Sequence, residues 1–285
     1  MLRIITDGAA DVPLEWQKEY AIDICPINIQ FGDKTYLQNI ELDNEGFYKL
    51  VDETRKIPKT SQPSPHQFIE FYKKVAQPGD TILSMHVTSK LSGTYASAVV
   101  AGHEVAGTFN VIPFDSATGS MALGFMCRAA RLRERAGQSL EMIIKHLESM
   151  RTSGCLNLAL DTLDYARMSG RVGTMQAALA SVLNVKPIAV LKDGLLNMTE
   201  KVRTRKGSLE RLLAITKNQM GDEPVMIAIV HARDPKAGQE LLEQARIKFN
   251  TKEIMMIDLS ISLAANFGPG TVGIVVFPAE QTYDL

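Results

Sequence analysis

The chain has 285 residues, 45% hydrophobic and 22% charged, enough for a sizeable buried core. With 31 Lys and Arg against 32 Asp and Glu, the net charge of -1 offers no bulk attraction to a polyphosphate. No aromatics interleave with basic residues to form a stacking platform, so nucleic acid is excluded as a partner.

Cys25, Cys127 and Cys155 are scattered without a Cys-x-x-Cys pair, and the five histidines lack metal-ligand spacing. No disulfide, metal or cofactor is expected. The chain enters directly into Leu2-Arg-Ile-Ile-Thr-Asp with no charged-then-apolar leader, and no apolar run has bilayer length, which predicts a cytoplasmic location. Length favours two domains, placed at 1–154 and 155–285.

Taken in order, residues 2–5 read as a buried strand ending in Thr6-Asp7-Gly8, with Pro13 opening a helix. A second apolar run covers 22–29, and Gly32-Asp33 reads as a two-residue hairpin turn. Residues 45–53 are helical, 56–65 form a proline-broken loop, and Ser64-Pro65 opens a helix carrying Phe68, Phe71, Tyr72 and Val75. Residues 81–87 form a buried strand feeding a small-residue helix at 96–101. Between them, Thr88, Ser89, Ser92, Gly93 and Thr94 make a candidate anion cradle at a helix start, although Ser and Thr are equally the default helix caps. The strand at 109–114 ends in Asp115-Ser116, and helices follow at 120–136 and 139–152. Buried strands alternating with helices imply a mostly parallel sheet, with ligands outside the carboxyl ends of its strands.

The texture then changes. A strand at 155–160 and a short helix at 163–169 precede Gly170-Arg171, a helix is expected at 177–183, and 187–199 is a hairpin turning at Asp193-Gly194. Helices at 206–219 and 235–249 and strands at 225–231, 253–257 and 271–277 complete the second α/β domain, whose sheet is mixed or antiparallel.

Thr6-Asp7, Thr60-Ser-Gln-Pro-Ser64, Ser89-Lys-Leu-Ser-Gly-Thr-Tyr95, Asp115-Ser116, Gly170-Arg171, Lys186-Pro187, Asp193-Gly194 and Gly268-Pro-Gly270 span nearly the whole chain. As a set they resemble the DegV-like fatty-acid-binding proteins. The resemblance implies a non-catalytic two-domain carrier that encloses one long-chain fatty acid and presents it to a separate fatty acid kinase for acyl-phosphate formation. A transient membrane surface is a further partner on that reading. Carried over, Thr60 and Ser92 hold the carboxylate, with Ser61, Gly93, Thr94, Asp115, Ser116, Asn266 and Phe267 around it, while Arg171 and Arg203 face the partner. Asn266-Phe267 stands where the family usually has His-Thr.

The residues also allow a rival reading, an acyl hydrolase with Ser92 as nucleophile and His86 as base. It lacks a Gly-x-Ser-x-Gly elbow, and no carboxylate is evidently placed to orient His86. Asp7 and Asp115 suit loop bracing by accepting N–H bonds. The basic group Lys201, Arg203, Arg205, Lys206 and Arg211 reads as a solvated face or an anion-steering one. Thirteen methionines suit either core filling or an adaptable apolar sleeve.

Overall fold

A computed structural model describes residues 1–171 and 185–280. The helix expected at 177–183 lies outside the described residues. The N-terminal half is built on a parallel sheet of order β2-β1-β6-β7, formed by β1 (Leu2–Asp7), β2 (Ile22–Cys25), β6 (Thr81–His86) and β7 (Asn110–Asp115). Ile4, Ile5, Ile82 and Leu83 are wholly buried, as strands covered on both faces must be. The apolar run at 22–29 is two strands, because Pro26 cannot donate to a ladder. The chain leaves β2 there and starts β3 (Asn28–Phe31) in a second sheet.

That sheet, of order β4-β3-β5, adds β4 (Lys34–Leu37) across the Gly32-Asp33 turn and β5 (Lys59–Ser61). The loop expected at 56–65 therefore contains a strand, with Thr60 opposite Ile29. Ser64 caps α3 (Pro65–Val75) in a capping box with Gln67, an arrangement worth about 1 kcal/mol.

The remaining strands form a mixed sheet of order β10-β9-β8-β13-β11-β12: β8 (Cys155–Ala159), β9 (Lys186–Lys192), β10 (Leu195–Val202), β11 (Val225–His231), β12 (Thr251–Asp258) and β13 (Val272–Pro278). Only β11 and β12 run parallel. Asp193 and Gly194, with φ of 51° and 76°, make the turn joining β9 to β10. Helices α8 (Arg205–Met220) and α9 (Pro235–Lys248) cover one face of this sheet, around Leu209, Leu212, Ile227 and Ile274.

Between the four-stranded and six-stranded sheets lies α5 (Ser120–Arg135), buried from Ser120 through Arg131. One apolar cluster runs from Ile4, Leu83 and Met85 through Leu123 and Phe125 to Val230, Val275 and Phe277. Two arginines of α5 are drawn into this joint. Arg128 stacks on Trp16 at 4.0 Å and pairs with Glu253, and Arg131 donates to the carbonyls of Leu2, Tyr20 and Ala21. Each guanidinium finds partners across elements, which is what permits its burial. No described helix is long and apolar enough to cross a membrane.

Candidate functional site

The loops at the carboxyl ends of β1 and β6 meet a short helix from the C-terminal half, α10 (Ile261–Phe267). Ser260 precedes it, and Gly268, at φ 84° and where a Cβ would come within 2.7 Å of the Tyr165 ring, ends it. Ala9, Ile27, β5, Gln62, Val87, Leu91, Ser92, Arg171 and α10 enclose a cavity of about 70 Å³. It adjoins a second of about 40 Å³ through the shared side chains Val87, Leu91, Leu263 and Phe267. The second is lined mainly by Leu156, Leu158, Leu191, Leu196 and Leu259. The first carries hydroxyls, amides and a cation, and the second is almost wholly hydrocarbon.

At the polar end, Asn266 Nδ2 donates to Ser262 O at 2.6 Å and reaches Thr60 Oγ1 at 3.4 Å. Ser92 Oγ lies 2.8 Å from Thr94 Oγ1 and accepts the Thr94 N–H at 3.3 Å. Ser92 is not the cap of α4 (Thr94–Glu104); Gly93 is. A Cβ at Gly93 would come within 2.7 Å of Gln62 Nε2, so only glycine lets the Gln62 amide close over this loop.

Of the residues expected to bind ligand, Thr60, Ser61, Ser92, Asn266 and Phe267 line the cavity. Gly93 and Thr94 stand behind Ser92. Asp115 and Ser116 do not line it: Asp115 Oδ1 accepts the N–H groups of Ser89 and Ala117, and Ser116 exchanges hydrogen bonds with Thr118. Their polar atoms are spent on the backbone of their own loop and, at Ser89, of the loop after β6, as strand-end Asp and Ser often are. Arg171, expected to face the partner, is among the residues lining the cavity. Gly170, left-handed at φ 70°, folds the chain back after α7 (Asp164–Ser169), and Arg171 Nη1 donates to Ser169 O. Arg203 is exposed, ahead of α8.

The pairing of Ser92 with His86 is overturned. His86, fully buried, lies with Nε2 2.7 Å from Ser84 Oγ and Nδ1 3.1 Å from Asp7 Oδ2, and Ser84 reaches Tyr72 OH at 2.9 Å. A carboxylate does orient the imidazole, contrary to the sequence reading, but turns it toward Ser84. With Nδ1–H donating to the Asp7 carboxylate, Nε2 is left to accept the Ser84 O–H hydrogen bond. Asp7 also accepts the N–H groups of Ala9 and Val87, both residues of the cavity wall, so this buried relay fixes the loops that carry the site. Burial pushes the Cys127 and Cys155 thiols up to about 12 and raises that of Cys25 as well. None is poised as a thiolate nucleophile.

Sequence reasoning missed α10 and with it Ser262 and Leu263. The signals were Ser260 ahead of an apolar run and Gly268-Pro269 after it. Gln62 and Leu91 were missed because only the fold turns them toward Ser92.

The family model described as "Uncharacterised protein, DegV family" matches residues 1–279. A DegV domain-containing protein of Streptomyces coelicolor is 32% identical over 96% of this chain and 97% of its own length. Among solved structures, a DegV family protein from Thermus thermophilus, described by its fatty acid binding, superposes with a TM-score of 0.89 at 28% identity, covering 97% of this chain and 99% of that one. DegV of Bacillus subtilis, described as a fatty acid binding protein, gives 0.84 at 28% identity, covering 97% and 98%. From the parallel sheet through the Gly-Pro-Gly loop, then, the chain belongs to the DegV family.

Proposed function

We propose that the protein binds one long-chain fatty acid, with the carboxylate at Thr60 and Ser92 and the acyl chain along the leucine-lined passage. The observation carrying this reading is the continuity of a hydroxyl-bearing end with a hydrocarbon end across Val87, Leu91, Leu263 and Phe267. The Arg171 guanidinium on the wall supplies the counter-charge, and the Asn266 amide orients Thr60. The passage is narrow, so an acyl chain enters by parting flexible leucines, each buried methylene contributing about 0.8 kcal/mol. Residues 1–154 provide the Thr60 and Ser92 loops, while most side chains along the hydrocarbon end come from 155–285, acting as the domain that covers the chain.

In this reading the protein is a non-catalytic carrier that presents its lipid to a fatty acid kinase, with exposed Arg203 on the partner-facing side and contact with a membrane surface only in passing. Supporting a carrier over a hydrolase, Ser92 has Thr94 as its partner, and His86 is committed to Asp7 and Ser84. Solvent extraction and mass spectrometry of the purified protein are expected to yield a stoichiometric long-chain fatty acid. No acyl species, together with no uptake of added oleate, would overturn the binding role. Adding a bacterial fatty acid kinase and ATP is expected to give acyl phosphate only when the protein is present. Covalent labelling of Ser92 by a fluorophosphonate would restore the hydrolase.

A further inference from the structure

The polar end of the lipid cavity meets solvent at Ser61 and Gln62, the exposed members of a lining that is otherwise buried or half-buried. The backbone of Gln62 is fixed. Asn28 Nδ2 donates to its carbonyl at 3.2 Å, and Asn28 in turn exchanges hydrogen bonds with Gln67, the residue that completes the α3 capping box. Buried Pro63 follows, which restricts the Gln62 backbone further.

The side chain, by contrast, is uncommitted. Thr60, Ser92, Ser262, Asn266 and Arg171 each hold a hydrogen bond within the protein, whereas neither amide atom of Gln62 has a partner among the described residues. Two N–H donors therefore stand free on the wall of a cavity read as holding a carboxylate.

Gly93 makes room for that side chain. With φ -78° and ψ 4°, its backbone is open to other residues, so glycine is needed there for space and not for conformation. A Cβ would meet Gln62 Nε2 at 2.7 Å and Cδ at 3.0 Å. The amide thus rests against the Cα next to Ser92, reaching from the end of β5 to the start of α4.

We propose that Gln62 is a head-group residue whose amide, seated against Gly93, donates to the bound carboxylate and covers it from water. This rests on the fatty-acid reading and assigns the outer side of the same site. The side chain pivots on a fixed backbone, so release of the lipid requires it to swing aside.

The test is calorimetric titration of the delipidated whole protein with oleate and with oleyl alcohol, paired with the rate at which bound oleate transfers to albumin. Gln62→Ala is expected to weaken oleate binding about tenfold, mostly through faster release. Gln62→Glu has nearly the same shape and puts a carboxylate beside the ligand's own. It is expected to lose more oleate affinity than Gln62→Ala and to lower the preference for oleate over oleyl alcohol, a ratio that a merely structural role would not move. Gly93→Ala displaces the amide without removing it, so it is expected to match Gln62→Ala, with no further loss in the double variant. Parent-like oleate affinity in both Gln62 variants, an unchanged preference in Gln62→Glu, or independent losses in the double variant would overturn the proposal while parent binding stays intact. A parent that takes up no oleate would overturn the fatty-acid reading, and this inference with it.

Discussion

The cavity at Thr60 and Ser92 and a larger one, of about 640 Å³ on the other side of the β1 loop, share one wall and have opposite chemistry. The Gly8 carbonyl accepts Ser262 Oγ–H from the lipid side at 3.1 Å and Gln38 Nε2–H from the acidic side at 2.8 Å. On one side, hydroxyls, an amide and Arg171 face a passage suited to an anion with a hydrocarbon tail. On the other, Asp11, Asp43 and Asp258 line the cavity with no Lys, Arg or His among its lining residues. A loop of four residues, Gly8 to Asp11, separates them, so the charge each cavity presents is a matter of which face of one backbone segment a side chain reaches. The comparison also shows what fixes that segment. Asp7 holds it from the parallel sheet, and Asp11 ties it to α5 through Ser120 Oγ and to α10 through the Ser260 N–H at 2.9 Å.

The largest effect should come from reversing the charge preference of the lipid side. Ser92→Asp places a carboxylate beside the position proposed for the fatty acid's own, and should lower fatty-acid affinity by more than about a hundredfold. Ser92→Ala and Thr60→Ala each remove one hydrogen bond to a charged group, worth roughly 1.5 to 3 kcal/mol, or about ten- to a hundredfold. Unchanged affinity in all three variants would move the head group elsewhere.

The Asp11 anchor offers a comparable effect on stability. Burial raises its pKa from 3.8 to about 6, against the opposing hydrogen bonds from Ser120 and Ser260. Between those values the native state holds a proton that the unfolded chain has released, so stability falls as pH rises from 3.8 through about 6. Two pK units correspond to about 3 kcal/mol. Asp11→Asn keeps the Ser260 N–H bond without the buried charge, so its urea midpoint should lose this contribution to the decline and exceed the parent's at neutral pH. A parent with the same profile as Asp11→Asn would remove the charge from the account.

Arg171 and Arg203 separate the wall of the lipid cavity from the exterior. Arg171→Ala should weaken fatty-acid binding about tenfold, and Arg203→Ala should leave it intact while slowing acyl-phosphate formation with a kinase. Equal loss of lipid affinity in both would place Arg203 at the pocket as well. The smallest effect belongs to Asn266. An amide does not titrate, so affinity should be nearly flat between about pH 6 and pH 8, and Asn266→His should gain affinity as pH falls across that range. Calorimetry of both proteins decides it: a steep slope in the parent, or none in the variant, would detach residue 266 from the carboxylate.

The alternation of buried strands and helices through residue 153 was legible because a parallel sheet needs continuous apolar strands and gives them local boundaries. Gly32-Asp33 and Asp193-Gly194 were legible as hairpins for the same local reason, a turn that requires particular residues. The break at Pro26 and the strand at Lys59–Ser61 were not, since β5 has no apolar alternation and exists only because Asn28 to Gln30 offers it a partner. Asp115-Ser116 and Thr60-Ser61 look alike in sequence, yet one pair is bonded to the backbone of its own and a neighbouring loop and the other lines a cavity.

What the sequence determined by itself is therefore the α/β class, the hydroxyl-rich loops at the strand ends and, through its combined motifs, the family. Periodicity and turn chemistry are written within a few residues and need no distant partner. Tertiary structure alone decided that Arg171 lines the cavity, that His86 serves Asp7 and Ser84, and that α10 completes the cavity from 169 to 175 residues beyond Ser92. It also decided that acids from positions 11, 43 and 258 share one wall. Each of these depends on which backbone segments the two large sheets press together around α5, and a polar side chain's role is set by the groups it meets there.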